Sequence, residues 1–175
     1  MTAKEYLQRD HHKYPSIFSL QYWKESWVKS EQYYIRYYVR YLRLEEYYTF
    51  IKKSKILKLY YQRKRNILGS RLGFFINPGN FGAGLKIEHI GSIIIHPKAK
   101  IGNNCLIHGN CCIGSNDING EKAPVIGDGV DIGQGAQILG NITIANYVKV
   151  GAGAVVVKSV LDEGRTVVGV PAKLL

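Results

Sequence analysis

The chain has 175 residues, 46% of them hydrophobic, with 24 Lys and Arg against 13 Asp and Glu for a formal net charge of +11. That length supports one main domain with an appendage, and no apolar run is long enough to cross a bilayer, which excludes a helical membrane protein. The opening stretch Met1 to Tyr14 is polar and charged rather than a signal peptide, so a cytosolic location is expected.

In that opening stretch His11 and His12 stand beside Asp10, a grouping that invites a metal reading. Adjacent histidines near a terminus, without further ligand-like spacing, are expected to be solvent-exposed, and no metal site is assigned. From Ser16 to Ile67 the sequence is rich in Tyr, Lys, Arg, Leu and Glu, poor in Gly, and preceded by Pro15. Tyr34, Tyr37, Tyr38, Tyr41, Leu44 and Tyr48 recur at helical spacing, and Ile56, Leu57, Tyr60, Tyr61 and Lys64 continue it, which predicts two or three helices. The aromatic stripe reads as packing between helices or subunits. Lys and Arg crowd between Arg36 and Arg71; such a face is either a solvated helix surface or an attractor of anionic partners, and it names none. Gly69 to Gly73 closes this basic, Tyr-rich helical segment, giving residues 1–72 as one unit and 73–175 as the next. Phe74 to Gly84 then reads as an irregular entry that caps an open β core.

The second unit is organised by a period of six. Aliphatic residues recur at Ile95, Ile101, Ile107 and Ile113, then at Ile126, Ile132, Ile138, Ile144, Val150 and Val156. A second column of small or aliphatic residues follows four positions later, from Ile87, Ile93, Ala99, Cys105 and Cys111 to Val130, Ala136, Ile142, Val148 and Ala154. Six fits neither an α-helix nor a two-sided strand, but it fits a parallel β-helix whose coils each contain three short strands. Hexapeptide helices of this kind are normally left-handed, against the usual crossover rule, and that hand is adopted rather than derived from the period. The fold class is therefore mainly β, with about four to five coils behind an N-terminal helical segment. Two of the three cysteines, Cys105 and Cys111, fall on the small-residue column, and with Cys112 they read as core packing. The phase breaks once: Ile113 to Ile126 is thirteen positions, so residues 115–124 loop out of a coil. Gly102, Gly114, Gly127, Gly133 and Gly151 fall at corners where positive φ or close backbone approach is expected, and VVGVPAK reads as a closing strand and turn.

Extending the first column backwards places His89 and Ala83 in it. An imidazole inside so narrow a coil would leave polar nitrogens unpaired at a cost of roughly 1–3 kcal/mol, so a local shift is expected to present His89 at a surface. An imidazole titrates near neutrality and suits removal of a proton from an alcohol; Glu88 beside it could orient the ring or hold an acceptor hydroxyl. His96, followed by Pro97, reads as a turn residue. His108 lies one coil and one step after His89 and is expected to stack close to it, at the rim of the same site. Cys105, His108 and Cys111 resemble a metal-ligand set, but the repeat already accounts for both cysteines and no fourth ligand stands out.

The runs GLKIEHIGSIIIHPKAKIGNNCLIHGNCCIG, APVIGDGVDIGQGAQILGNITI, VKVGAGAVVVKSV and VVGVPAK resemble the hexapeptide-repeat acyltransferases of the serine acetyltransferase branch, and look most like relatives that O-acetylate capsular or other cell-surface sugars. The resemblance covers roughly residues 73–175. It implies direct transfer from acetyl-CoA, with His89 as general base and Glu88 at the acidic position before it. It places the pantetheine groove along Gly133, Gln134 and Gly135 and along Gly151, Ala152 and Gly153, with Lys158 and Lys173 as partners for CoA phosphates. It further implies homotrimers, possible pairing of trimers, and an active site in the cleft between neighbouring β-helices.

The chain departs from the serine acetyltransferase pattern at several places. Where that family carries an Asp-Arg-His-Pro run whose Arg and His bind the amino-acid carboxylate, this loop has Lys122 and Ala123 ahead of Pro124. The acidic partner that the family places about fifteen residues before the base is also missing, since that region is Phe74, Phe75 and Ile76. The helical part is shorter than the family's, and no long tail follows. These departures make a carbohydrate hydroxyl, in surface polysaccharide or a lipid-linked glycan precursor, the expected acceptor. The basic helices would then contact an anionic membrane at the inner face of the cell membrane. The competing readings are a serine O-acetyltransferase of cysteine biosynthesis and a non-catalytic trimeric binding module. No nucleic-acid motif accompanies the basic patch, so no nucleic-acid partner is expected.

Overall fold

The computed structural model describes residues 2–16, 18–117 and 119–175. The side chain of His11 lies outside the described residues, while the ring Nε2 of His12 meets the Asn104 side-chain oxygen at 3.0 Å. Helix α1 (Ala3–Leu7) opens on a capping box in which Thr2 and Glu5 satisfy each other's backbone N–H groups. A 3₁₀ turn over Gln8–Lys13 follows. The helices expected between Ser16 and Ile67 are α2 (Leu20–Val28), α3 (Glu31–Glu46) and α4 (Lys55–Leu72); α1 lies in the stretch where none was expected. Ser54 caps the start of α4, and Gly73, at φ 79°, closes it in the left-handed conformation that glycine adopts without strain.

The tyrosine stripe packs helices against each other and against the β core. Tyr38 is fully buried and meets Phe74 edge-on at 5.0 Å, and Tyr48 stacks on Tyr61 at 5.5 Å with an interplanar angle of 4°. A polar joint fixes the same contact. Arg43, 1% exposed, pairs with Asp10 at 2.6 Å and Glu46 at 2.8 Å, and donates to the carbonyls of Phe81 and Gly82. Asp10 in turn accepts the backbone N–H groups of Gly84 and Leu85, so the N-terminal turn, α3 and the first coil share one buried ionic network. Arg65 on α4 repeats the arrangement with Glu45 and the Ile76 carbonyl.

The rest is a left-handed parallel β-helix with three ladders. One stacks Phe74–Phe75, Ile93–Ile95, Cys111–Gly114, Gln137–Leu139 and Val155–Val156. A second stacks Lys100–Ile101, Val125–Ile126 and Thr143–Ile144, extended by bridges from Phe81 to Ile101 and from Ile144 to Val160. The third runs from Lys86–Ile87 through Leu106–Ile107, Asp131–Ile132 and Lys149–Val150 to Thr166–Val168, where Lys173–Leu174 closes it antiparallel. Among the described residues each face is thus five parallel rungs deep. Both predicted columns form the interior: Ile107, Ile113, Ile132, Ile138, Val130, Ala136 and Val148 all have zero exposure.

One part of the predicted phase is wrong. Ile87, not His89, pairs with Ile107, and Phe81, not Ala83, bridges to Ile101. The first column therefore slips by two residues before Ile93. The corner between Ile87 and Ile93 holds five residues, whereas those between Ile107 and Cys111 and between Ile132 and Ala136 hold three. The two additional residues carry His89 out of the core. The corner glycines follow close approach rather than positive φ: a Cβ on Gly133 would lie 2.7 Å from the Val150 carbonyl oxygen, and none of the five predicted corner glycines has positive φ.

Candidate active site

The long corner, Glu88 to Ser92, is the bottom step of a single edge. Above it in register come His108 to Asn110, then Gly133 to Gly135, then Gly151 to Gly153. The edge is stitched by Glu88 N–H to the Ile107 carbonyl, His108 N–H to the Ile132 carbonyl, Gly135 N–H to the Gly109 carbonyl and Gly153 N–H to the Gln134 carbonyl. The Asn110 side chain also accepts the Ser92 N–H, tying the long corner to the next. The two glycine-rich turns assigned to the pantetheine groove therefore lie on the same edge as His89, one and two coils beyond His108.

His89 is 55% exposed at its side chain, as the local shift required, and its ring centroid lies 6.2 Å from that of His108. Glu88 does not orient the His89 ring. Its carboxylate pairs with Lys86 at 2.8 Å, a hydrogen bond that holds the Glu88 carboxyl below its ordinary value, with His108 and His89 acting in the same direction. The carboxylate on the His89 ring is Glu31, from the first turn of α3: its Oε1 is 2.9 Å from Nδ1. His108 has its own acidic neighbour, Asp131, at 3.6 Å. The sequence marks none of Glu31, Lys86 and Asp131 as site residues. Glu31 lies 58 positions before His89, and only the docking of α3 brings the two together.

Lys158 and Lys173 are exposed near the end of the β-helix and form no ion pair among the described residues. His96 lies in a turn and accepts the Lys98 N–H. Cys105 and Cys111 are buried, and burial pushes the Cys105 thiol up to about 11, consistent with packing rather than ligation. Among the described residues no group of His, Cys, Asp and Glu is arranged to hold a metal, and no helix is long and apolar enough to cross a membrane.

No family model matches the chain. It is 42% identical over 123 residues to serine acetyltransferase 3, mitochondrial, of Arabidopsis thaliana, covering 69% of this chain and 30% of that protein. It is 39% identical over 105 residues to the serine acetyltransferase of Helicobacter pylori strain 26695, covering 59% of this chain and 61% of that one. The chain thus spans from under a third to about three fifths of the length of these two relatives. Among solved structures, the serine acetyltransferase of Neisseria gonorrhoeae superposes with a TM-score of 0.75 at 28% identity, over 99% of this chain and 66% of that one. A serine acetyltransferase in complex with CoA gives 0.71 at 27% identity, over 99% and 68%.

These matches overturn the carbohydrate acceptor expected from the loop. That expectation treated the Arg-His pair as the only means of holding a carboxylate. The folded edge offers other groups of both signs, because Lys86, His89 and His108 all act on Glu88. Loss of one clamp in the loop is therefore a weak argument against an amino-acid acceptor.

Proposed function

We propose, on the premise that the repeat unit belongs to the serine acetyltransferase hexapeptide-repeat family, that the protein transfers the acetyl group of acetyl-CoA to the hydroxyl of L-serine. The observation that carries the reading is the stacked edge, which sets two glycine-rich turns in line with an exposed imidazole, beyond the intervening His108 corner. A pantetheine arm laid along Gly151 to Gly153 and Gly133 to Gly135 delivers its thioester to His89. His89 removes the serine hydroxyl proton as the oxygen attacks the thioester carbonyl. The tetrahedral oxyanion is stabilised by backbone N–H groups of the edge. It then collapses to O-acetylserine, and the departing CoA thiolate takes the proton back from the imidazolium. Lys158 and Lys173 are assigned to the CoA phosphates.

The mixed charge at the His89 corner favours a zwitterionic acceptor: Lys86 and His108 face the serine carboxylate, and Glu88 and Asp131 its ammonium. We assign a homotrimer to the working enzyme. A lone chain leaves the edge open, with the His89 side chain 55% exposed. A neighbouring copy would supply the missing wall. The membrane contact expected from the basic helices was motivated by a lipid-linked acceptor, and without that acceptor only their charge speaks for it.

The test is thiol release from acetyl-CoA with L-serine and, separately, with a panel of sugars. Serine-dependent release is expected from the wild type. His89→Ala is expected to lose most turnover, about 100-fold or more, while keeping CoA affinity by calorimetry. Release with sugars and not with serine would sink the acceptor assignment, and a near-normal rate for His89→Ala would sink the base.

A further inference from the structure

In this chain the position fifteen residues before the base is Phe74, 2% exposed and packed edge-on against Tyr38. That position therefore supplies no carboxylate to His89. The helical segment supplies one instead. Glu31 meets the corner twice, with Oε1 2.9 Å from His89 Nδ1 and Oε2 accepting the Ile90 N–H at 3.3 Å. Its neighbour Gln32 donates to the Glu88 carbonyl at 2.6 Å. Three contacts thus bind the first turn of α3 to the segment Glu88–His89–Ile90.

We propose that Glu31 positions the catalytic imidazole, so that the N-terminus of α3 completes an active site otherwise built on the β-helix. The proposal rests on the reading of His89 as general base. With Nδ1–H donated to Glu31, the neutral ring keeps its lone pair on Nε2, the nitrogen left to take the acceptor proton, and the carboxylate stabilises the imidazolium that forms. The ring is thereby fixed in tautomer and in plane. The carboxylate is itself held by a rigid element: Arg43, twelve residues along α3 or about 18 Å, is locked to Asp10, Glu46 and the first coil. An acidic residue in a helix's first turn also suits the helix dipole. The charged and titratable groups around the ring are Glu31 from α3, and Lys86, Glu88 and His108 from the β-helix.

The experiment compares wild type with E31Q and E31D in two readouts. In steady-state kinetics, E31Q is expected to lower kcat about tenfold or more with KM for acetyl-CoA unchanged, and E31D to recover part of the loss. Removing the negative charge makes the imidazolium easier to deprotonate, so the acid limb of the pH–rate profile moves to lower pH in E31Q. The second readout, NMR titration of the His89 ring, requires no turnover and is expected to show the same downward shift. Wild-type kcat with an unmoved acid limb in E31Q would overturn the proposal, and so would an unmoved ring titration. If the wild type is idle with serine, the acceptor assignment fails, and the ring titration alone then decides the role of Glu31.

Discussion

His89 shows how a broken pattern locates chemistry. A histidine among isoleucines cannot be tolerated inside the coil, and the backbone answers with a corner two residues longer than those above it. The cysteines show the opposite case, since their positions in the repeat already assign them to the core. Burial pushes the Cys105 thiol up to about 11 and raises Cys111 and Cys112 in the same direction. The thiolate, not the thiol, reacts. A chromogenic disulfide reagent at pH 8 is therefore expected to label Cys105 and Cys111 only after denaturation, and rapid labelling of the native protein at either would contradict this packing. A thiol whose folded pKa is raised keeps the folded state favoured below its unfolded pKa. That stability is lost as pH climbs above the unfolded value of about 8.5.

Among the elements, the joint between α3 and the first coil has the greatest consequence. Arg43 is 1% exposed between two carboxylates, Asp10 at 3% and Glu46 at 1%. Removing the cation leaves two buried acids that keep only neutral donors, Gly84 and Leu85 N–H on Asp10 and Tyr6 OH and Gly79 N–H on Glu46, without a compensating charge, which costs about 3–5 kcal/mol. Arg43→Leu is expected to lose stability on that scale in urea unfolding at neutral pH. A variant as stable as wild type would mean that water reaches the joint. The same joint holds Glu31 over His89, so the helical segment contributes to the site as well as to stability. The sequence could not reveal this, because helical spacing identifies which residues share a face but not where that face docks.

For the molecule as a whole, the open edge makes assembly a functional matter. Light scattering is expected to return three times the 19.7 kDa chain mass, or six times if trimers pair through the helices. A monomer with full activity would remove the argument that a second copy walls the site.

Periodicity alone determined the β-helix, its two interior columns and the exposure of His89. These are legible because a six-residue repeat forces every coil to bury the same positions, so each coil restates the rule and an exception stands out. The two-residue slip that places Ile87 and Phe81 in the first column was not legible, since extrapolating a phase cannot locate an insertion without the stacking partner above it. Only the tertiary structure decided that Glu31, rather than Glu88, meets the His89 ring, and that Lys86 takes Glu88 instead. The Glu31–His89 contact joins a helix to a coil 58 residues away, and such a distance is closed by packing and a buried ionic joint, which leave no periodic mark on the sequence.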